Sequence, residues 1–343
     1  MSRTDFVILW VDGNDPEWQQ KKAAYLGEPE TDDRAQRYRD WGLLRYWFRG
    51  VEKFTPWVGN VWLVCDQEPP EWLKRDHPKL KIVRHEEYIP AEYLPTFSAN
   101  PIELNLHRIR GLSEQFVYFN DDMFMIRPVQ ESFFFRKGLP ADCALLNPVP
   151  TTDLTENSSY QRIIRVHLNN AEYANRDYSF RQTLRRHFFK WFNLRYGPSL
   201  GRNLMLCIWP RFVGFYEPHL PQPFLKSFFE EAWKADGDIL DETSRRPIRN
   251  DLDVNQWLIR HRQLIEGKFR PKKPLKNAVF DLKLQSREAA ETIRTQRVPM
   301  ICMNDGEMEE AEFEEIRDQL MKAFETILPE ACSFEQMAGT LGK

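Results

Sequence analysis

Apolar runs and amphipathic segments alternate along the first third of the chain. The longest apolar run, Phe6 to Val11, stops at the turn residues 12–16, a pattern typical of a buried strand followed by a tight loop. Residues 40–54 instead carry large apolar side chains at helical spacing, which predicts an amphipathic helix. Further strands are predicted at 61–65, 81–84 and 116–119, and a further helix at 102–112.

This order of strands and helices predicts an α/β fold with an open, mostly parallel, Rossmann-like sheet flanked by helices. Ligands of such sheets bind at the carboxyl ends of the strands. Three of the predicted strand ends carry acidic or turn residues, at 12–15, at Asp66 and at 120–122. We therefore expect the ligand site along this edge of the sheet.

Charge is distributed unevenly along the rest of the chain. Between Tyr160 and Arg202 there are nine basic and two acidic residues among many aromatic ones. From Asp305 to Glu330 there are ten acidic and two basic residues, with apolar positions at steps of three and four that predict an amphipathic helix. We therefore divide the chain into an α/β core at 1–150, a basic, mainly helical insertion at 151–205, and the remainder of the catalytic domain at 206–343.

Composition excludes several classes of protein. The 343 residues carry a net charge of −3, which argues against a dedicated nucleic-acid binder. No apolar run approaches the roughly 18 residues of a membrane span, and the N-terminus lacks a signal-peptide pattern. The five cysteines form no CxxC pair, so reduced thiols are expected. These features favour a cytoplasmic enzyme, and the basic segment leaves open a peripheral contact at the inner membrane surface.

Asp121 and Asp122 are the first candidates for chemistry, because they follow a buried strand directly. Paired carboxylates suit Mg²⁺ or Mn²⁺, since Mg²⁺ needs only one or two of them when substrate phosphates and water complete its shell. A solvated turn is the alternative, because Asp favours turns without any metal.

The loop of Trp10, Val11, Asp12, Gly13, Asn14 and Asp15 is the second candidate. A glycine lets the backbone approach a ligand, and successive amides can bind phosphate. A plain strand-to-helix turn is the alternative. The chain has no GxGxxG motif and no Walker A lysine, so neither a dinucleotide-binding fold nor a P-loop is supported.

Two histidines are candidates for proton transfer or substrate binding. His107 is predicted one helical turn after Glu103 and next to Arg108, where a surface histidine is the alternative. His219 lies between Pro218 and Pro221, which make a rigid segment able to hold an imidazole as general base. A structural loop is the alternative for this second histidine.

Two further segments could hold phosphate or metal. Arg249 closes a cluster of arginines, whose guanidinium groups suit phosphate, although such charges are often only solvated. Asn304 and Asp305 precede the acidic helix. They either cap it or supply a further ligand to metal or substrate.

Four blocks of the sequence resemble the Stealth family of sugar phosphotransferases, in the order that the family shows. The first block is DFVILWVDGND at 5–15. The second is long and specific, and it comprises LRY at 44–46, TPWV at 55–58, LPTFS at 94–98, IE at 102–103, HRI at 107–109 and YFNDD at 118–122. The third is EPHLP at 217–221 with Arg249 and Gln256, and the short fourth is CMND at 302–305.

This resemblance implies an activity. Bacterial members of the family make capsular or exopolysaccharides linked by phosphodiesters, and an animal relative is a GlcNAc-1-phosphotransferase. The resemblance thus implies transfer of hexose 1-phosphate, typically GlcNAc-1-phosphate from UDP-GlcNAc, to a sugar hydroxyl, with release of UMP. The implied partners are a UDP-sugar donor and a glycan or lipid-linked glycan acceptor, with no nucleic acid.

Matched by position, Asp5, Trp10, Asp122, His219 and Arg249 fall where the family pattern implies importance for activity, and the residue patterns described above supply the other candidates. Asp5, Asp122, His219 and Arg249 become candidate catalytic residues, and Asp121 and Asp122 candidate metal ligands. The candidate nucleotide-sugar ligands within the 1–150 core are Trp10, Val11, Asp12, Gly13, Asn14, Asp15, Arg45, Arg49, Ser98, Glu103, His107 and Arg108, and Asn304 and Asp305 join them from the third segment. Asp5 opens its predicted strand, far from the ligand edge, so a structural role is the alternative.

Two other functions remain open from the residues alone. A metal-dependent glycosyltransferase would use similar carboxylates and the same donor but release UDP. A non-catalytic protein could instead bind glycans or a membrane surface through the basic, aromatic segment. The four-block resemblance favours phosphate transfer.

Overall fold

A computed structural model describes residues 3–26, 39–150 and 159–336. Its strands are β1 (Thr4–Leu9), β2 (Val61–Val64), β3 (Leu80–Val83), β4 (Gln115–Phe119), β5 (Met123–Met125), β6 (Phe135–Arg136), β7 (Leu139–Asp142), β8 (Gln222–Leu225), β9 (Arg270–Pro271), β10 (Val279–Asp281) and β11 (Met300–Asn304). Its helices are α1 (Pro16–Leu26), α2 (Leu44–Phe54), α3 (Ala99–Leu104), α4 (Ser159–Asp177), α5 (Phe180–Arg186), α6 (Phe188–Trp191), α7 (Leu200–Leu206), α8 (Lys226–Ala235), α9 (Gly237–Ser244), α10 (Gln256–Ile265), α11 (Leu282–Thr295) and α12 (Glu310–Ile327).

The central sheet has five strands in the order β3-β2-β1-β4-β8. The first four are parallel, and β8 is antiparallel to β4. Strands β1, β2 and β4 are almost entirely buried, which explains why they are nearly continuous apolar runs in the sequence. The predicted α/β fold with a mostly parallel sheet is confirmed.

Two predicted amphipathic helices are confirmed, α2 and α12. Both bury their apolar stripe against the main core, and Tyr46 of α2 stacks on Phe324 of α12 at 5.4 Å between ring centroids. A second sheet has three strands in the order β10-β11-β5. Strand β5 begins directly after Asp122, so this sheet lies next to the carboxyl ends of the central strands.

The helix predicted at 102–112 is wrong in extent. Helix α3 starts earlier, capped by Ser98, and stops at Leu104, and only a 3-10 turn follows at Leu106–Arg108. The side chain of Asn105 donates to the Pro101 carbonyl at 2.8 Å and to Ser244 Oγ at 3.1 Å. An asparagine that bonds a helix carbonyl in this way competes with the next helical turn.

Helices α4 to α7 lie within residues 159–206, so the described part of the basic segment is mainly helical as predicted, and its residues 151–158 lie outside the described residues. It shares a smaller core with the segments on either side, built from Leu146, Phe180, Trp191, Phe215 and Phe269 among others. Strand β8 follows this segment and completes the central sheet. The first and third segments of the chain therefore contribute to one sheet.

Candidate active site

The direction of β8 brings His219 to the ligand edge. Because β8 is antiparallel to β4, with Tyr118 opposite Gln222, its amino end lies beside the carboxyl end of β4. His219 precedes that end by three residues, and Asn120 follows the facing end of β4. The two side chains meet, with His219 Nε2 3.2 Å from Asn120 Nδ2.

Strand β11 brings the last predicted segment to the same place. It is antiparallel to β5, and the Met303 amide donates to the Asp122 carbonyl at 2.9 Å. Asn304 and Asp305 therefore come to the edge beside Asp122. The pairing joins two segments about 180 residues apart in the sequence.

The loop 10–15 is fixed at this edge by Gln67, which follows β2. The Asp12 amide donates to Gln67 Oε1 at 2.7 Å, and Gln67 Nε2 donates to the Asp12 carbonyl at 2.7 Å and to Asp15 Oδ2 at 3.0 Å. Asp15 also accepts from the Glu17 amide at 2.9 Å, at the start of α1. The loop is thus held on both sides, and of its six amides those of Val11 and Gly13 have no hydrogen-bond acceptor among the described residues.

Within this loop, Trp10 is buried, and Val11, Asp12 and Gly13 are half-buried. The Asn14 amide bonds the Asp12 carboxylate at 2.9 Å, and the Gly13 carbonyl accepts from Gln19 at 2.6 Å. The structure therefore brings the whole loop to the predicted ligand edge, next to the ends of β2 and β4.

The imidazole of His219 is held at both nitrogens. Nδ1 lies 2.8 Å from Asn304 Oδ1 and 3.2 Å from Cys302 Sγ, and the side chain is 39% exposed. An amide oxygen only accepts and an amide nitrogen only donates, so Nδ1 carries a proton toward Asn304 and Nε2 keeps its lone pair toward Asn120. Nε2 is therefore the atom that can take a proton from a substrate.

Behind Asn120 a hydrogen-bonded chain leads into the core. The Tyr118 hydroxyl lies 2.6 Å from Glu103 Oε1 and also contacts Asn120 Oδ1. One hydroxyl has one proton for these two acceptors, so Glu103 supplies the second proton as a neutral acid. Burial raises the pKa of Glu103 to about 7, in agreement with this assignment.

Carboxylates crowd the other side of His219. Asp122 Oδ2 lies 3.8 Å from His219 Nδ1, and burial followed by repulsion from Asp122, Asp40 and Asp305 raises the pKa of Asp121 to about 8. The Asp121 residue is nevertheless open to solvent, as expected for a side chain in a cleft. Asp122 Oδ1 and Asp305 Oδ1 are buried without a hydrogen bond from the described residues, but Asp305 Oδ1 also lies 3.7 Å from Arg39 Nη1, and Asp305 Oδ2 accepts from Trp41 Nε1 at 3.2 Å.

These oxygens fit a hard divalent cation, which prefers carboxylate ligands and leaves positions for phosphate and water. A second donor set overlaps them, because Asp122, His219 and Cys302 each offer one atom within 4.8 Å of the others. Burial raises the pKa of the Cys302 thiol well above its ordinary value, so it stays protonated and lies 3.3 Å from Asp122 Oδ2 as a donor. The site therefore fits Mg²⁺ or Mn²⁺ on oxygen ligands better than a thiolate-bound metal.

Arg249 is exposed on the loop between α9 and α10, and no ion pair joins it to any residue that the structure describes. Its charge still lowers the pKa of Glu103, which indicates that it faces the same region. An unpaired guanidinium at this position can bind phosphate oxygens of a ligand.

The structure does not bring Asp5 to this site. Asp5 is fully buried at the start of β1 and accepts from the amides of Asn60 and Ser113 and from Trp62 Nε1 at 2.7–3.1 Å. It lies at the amino edge of the sheet, opposite the ligand edge. This placement removes Asp5 from the catalytic candidates and supports the structural alternative.

Arg45 and Arg49 also have structural partners. Both guanidinium groups lie against Glu335, at 3.3 Å for Arg45 and 2.6 Å for Arg49, and Arg49 also donates to the Leu328 carbonyl. They join α2 to the C-terminal segment. Glu335 offsets only one of the two positive charges, but it gives both side chains a structural partner away from the loop 10–15, and their binding of phosphate stays a prediction.

Four other predicted ligands have structural contacts instead. The Ser98 hydroxyl caps α3, and Glu103 is buried behind Tyr118. His107 packs against Phe229 and Trp233, and Arg108 lies over the Trp233 ring at 4.7 Å. The sequence predicts His107 one helical turn after Glu103 only if the helix is continuous. Helix α3 ends at Leu104, so the two side chains do not share a helix face.

Sequence reasoning missed Asn120, Tyr118, Cys302, Gln67 and Asp40 as site residues. Asn120, Tyr118 and Cys302 stand inside the blocks quoted above, so proximity to an acidic pair was an available signal. Gln67 and Asp40 carry no such signal, because only the approach of separate strand ends and loops brings them to the edge.

An open, mostly parallel sheet whose carboxyl edge gathers carboxylates, an oriented imidazole and an unpaired arginine defines an α/β enzyme. Conserved region 1 of the Stealth proteins matches residues 4–29, and conserved region 2 matches residues 37–142.

Three similar proteins align over nearly the whole chain. They are the exopolysaccharide phosphotransferase cps2G of Lactiplantibacillus plantarum, the capsular polysaccharide phosphotransferase WcwK of Streptococcus pneumoniae and the receptor polysaccharide phosphotransferase WefC of Streptococcus oralis. They are 40%, 37% and 39% identical, over 97%, 98% and 98% of this chain and 96%, 99% and 100% of their own. The chain belongs to the Stealth family and is a phosphotransferase.

Proposed function

We propose that this enzyme transfers hexose 1-phosphate from a nucleotide sugar, UDP-GlcNAc in the first instance, to a sugar hydroxyl. The products are a phosphodiester and UMP, and the process served is capsular or exopolysaccharide synthesis. The observation that carries the proposal is the convergence of His219, the carboxylates around Asp122 and the loop 10–15 on one edge of the sheet. The names of the three relatives support the class of acceptor.

The donor occupies the loop 10–15, whose free amides and Gly13 suit close approach of the nucleotide. Arg249 binds phosphate oxygens of the donor and stabilises the charge that develops on them. Asn304 and Asp305 border the same space, so they limit how the sugar 1-phosphate can lie.

His219 acts as the general base. The acceptor hydroxyl gives its proton to Nε2, replacing the 3.2 Å contact with Asn120, and its oxygen forms a bond to the β-phosphorus. The bond from that phosphorus to the bridging oxygen breaks, and UMP leaves with the electron pair. Asn304 holds the Nδ1 proton throughout and favours the developing imidazolium.

Asp121 and Asp122, with Asp305 beside them, are the residues that would hold Mg²⁺ or Mn²⁺. Such an ion, when bound, neutralises pyrophosphate charge. The protein's own part is to keep these oxygens together, which costs electrostatic repulsion as the raised pKa of Asp121 indicates.

The acceptor in this proposal is a glycan or a lipid-linked glycan, and the location is the cytoplasm. The unpaired thiols of all five cysteines agree with a reducing compartment. Among the residues that the structure describes, no helix has the length and apolar character that crossing a bilayer requires.

The test is to identify the nucleotide released from UDP-GlcNAc with Mg²⁺, with and without a glycan acceptor. Metal-dependent UMP, with sugar phosphate on the acceptor, is the expected result. UDP would overturn the proposal in favour of a glycosyltransferase that cleaves at the anomeric carbon. Neither nucleotide, from a panel of UDP-sugars and acceptors, would contradict the proposed donor class, and Asp122→Asn serves as the inactive control.

A further inference from the structure

An unusual surface lies on the helical segment, and we call it the basic apolar face. It consists of α5, α6, α7 and the turns around them, and its exposed apolar side chains are Phe188, Phe189, Leu194, Leu204, Met205, Ile208 and Trp209. Four of these side chains are open over most of their surface, from 68% for Met205 to 87% for Leu194. Scattered apolar residues are ordinary on a surface, but so many on two short helices are not.

Buried polar contacts make this face one continuous surface. Asn203 of α7 donates to the Trp191 carbonyl of α6 at 2.7 Å and to the Ala144 carbonyl at 2.8 Å. The Tyr196 hydroxyl donates to the Lys190 carbonyl at 2.6 Å, which fixes the turn between the two helices. The inward sides of α6 and α7 are thereby anchored, and the apolar side chains that face outward are held together.

The charge of this region has one sign. Residues 178–216 contain seven Lys or Arg and no Asp or Glu, in a chain whose net charge is −3. The exposed cations are Arg181, Arg185, Arg186, Arg195, Arg202 and Arg211. In the described ranges, no carboxylate lies within ion-pair distance of any of these six arginines.

We propose that the basic apolar face binds the surface of a bilayer that contains anionic phospholipids. The aromatic and aliphatic side chains enter the headgroup region, and the arginines bind lipid phosphates. Both features are needed, because apolar side chains alone would not select a charged surface and exposed arginines alone would bind weakly at physiological salt.

A second copy of the chain fits this face less well. In a symmetric dimer the same patch faces itself, so unpaired arginines would oppose arginines across the contact. Charge complementarity instead favours an extended anionic surface. This inference goes beyond the proposed reaction, since lipid binding does not depend on which bond the enzyme cleaves.

The face is connected to the candidate active site by the chain itself. The segment after Trp209 packs Phe212 and Phe215 into the smaller core and reaches His219 four residues later. The Tyr216 amide donates to the Leu145 carbonyl at 2.8 Å, so this segment is anchored rather than loose. An enzyme docked by this face would meet an acceptor attached to a lipid.

The experiment is co-sedimentation of the full chain with phosphatidylcholine vesicles that contain or lack phosphatidylglycerol. We expect binding only to the anionic vesicles and its loss in high salt. The double variants Leu194→Ser/Ile208→Ser and Arg185→Glu/Arg186→Glu should each weaken binding at least tenfold. The matched controls Leu284→Ser and Arg287→Glu change exposed residues of α11 and should bind as the wild type does.

Circular dichroism and UMP release with a water-soluble acceptor check that each variant is folded. Absent binding to anionic vesicles, or equal effects of the control variants, would overturn the proposal. Light scattering tests whether a second copy of the chain occupies the face instead. A dimer in solution that the same double variants abolish would assign the face to that second copy and overturn the proposal. Because vesicle binding is read without turnover, failure of the proposed reaction leaves this result interpretable.

Discussion

His219 has one nitrogen committed and one nitrogen available. Asn304 accepts from Nδ1, and the Asn120 amide nitrogen faces Nε2, so Nε2 carries the lone pair that proton transfer requires. The orientation of Asn120 depends in turn on Tyr118. At the scale of the residue, the proposed role of His219 therefore depends on the side chains that orient its ring.

Replacing His219 by Ala should lower turnover by roughly two to four orders of magnitude, because the acceptor proton loses its base. Binding of UDP-GlcNAc, measured by equilibrium dialysis, should change little. The control is His77→Ala, which alters a histidine bonded to Ser333 instead. Turnover in His219→Ala equal to the wild type would eliminate this residue as the base.

Glu103 gives a pH-dependent prediction. Burial raises its pKa to about 7 from an ordinary 4.5, so the folded state binds more protons than the unfolded state between these values. The free energy of unfolding of the wild type should therefore fall as pH rises from about 5 to 8. Glu103→Gln mimics the neutral acid. The free energy of unfolding of this variant, minus that of the wild type, should therefore be more favourable to the variant at pH 8 than at pH 5.

Urea unfolding of both proteins at the two pH values measures this difference. As a control, Glu288→Gln changes an exposed glutamate, and its effect on the free energy of unfolding should be the same at both pH values. If the stability of Glu103→Gln and that of the wild type depend on pH in the same way, Glu103 is ionised in the folded protein. Tyr118 would then donate to Glu103, and the proton assignment given above would be wrong.

At the scale of the element, the antiparallel strand β8 decides the site. A parallel strand in that place would present its amino end to the opposite edge, and His219 would lie beside the amino end of β4 rather than beside Asn120. Strand β8 also contacts β7, which α10 holds through Arg260 and Asp142. Arg260 also donates to the Tyr216 carbonyl at 3.0 Å, just before the His219 segment.

Asp142→Asn should destabilise the protein by about 3–5 kcal/mol, because it leaves the buried Arg260 guanidinium without its partner. The free energy of unfolding in urea measures the loss. Glu291→Gln, which breaks the exposed pair with Arg294, should cost less than about 1 kcal/mol. Equal costs for the two variants would show that Asp142 and Arg260 do not depend on each other.

At the scale of the whole molecule, the site joins segments that are distant in the chain. The loop 10–15, Asp40, the turn 120–122, His219 and the end of β11 meet at one edge, so a ligand bound there contacts several segments at once. A ligand that binds only this folded arrangement stabilises the whole protein by mass action.

Mg²⁺ should therefore raise the melting temperature of the wild type and should do so much less in Asp121→Asn/Asp122→Asn. The stabilisation is about 2.7 kcal/mol at a free concentration one hundred times the Kd. Calorimetry with and without Mg²⁺ gives the shift, and Asp318→Asn on the exposed side of α12 is the control. An undiminished shift in the double variant would place the cation elsewhere.

The sequence by itself determined the four parallel strands of the central sheet, the two amphipathic helices and the identity of the polar groups at the strand ends. These features rest on local periodicity, which buried parallel strands and helix faces impose directly on neighbouring residues. The quoted blocks likewise identified the family before any contact was known.

Only the tertiary structure decided which of these groups meet. His219 finds Asn304 across 85 residues and Arg49 finds Glu335 across 286, and no local pattern encodes such pairs. The same structure gave Asp5 its structural partners at the opposite edge and separated His107 from Glu103. Local sequence fixes where a strand ends and what it carries there, whereas strand direction and long-range packing decide what lies beside it.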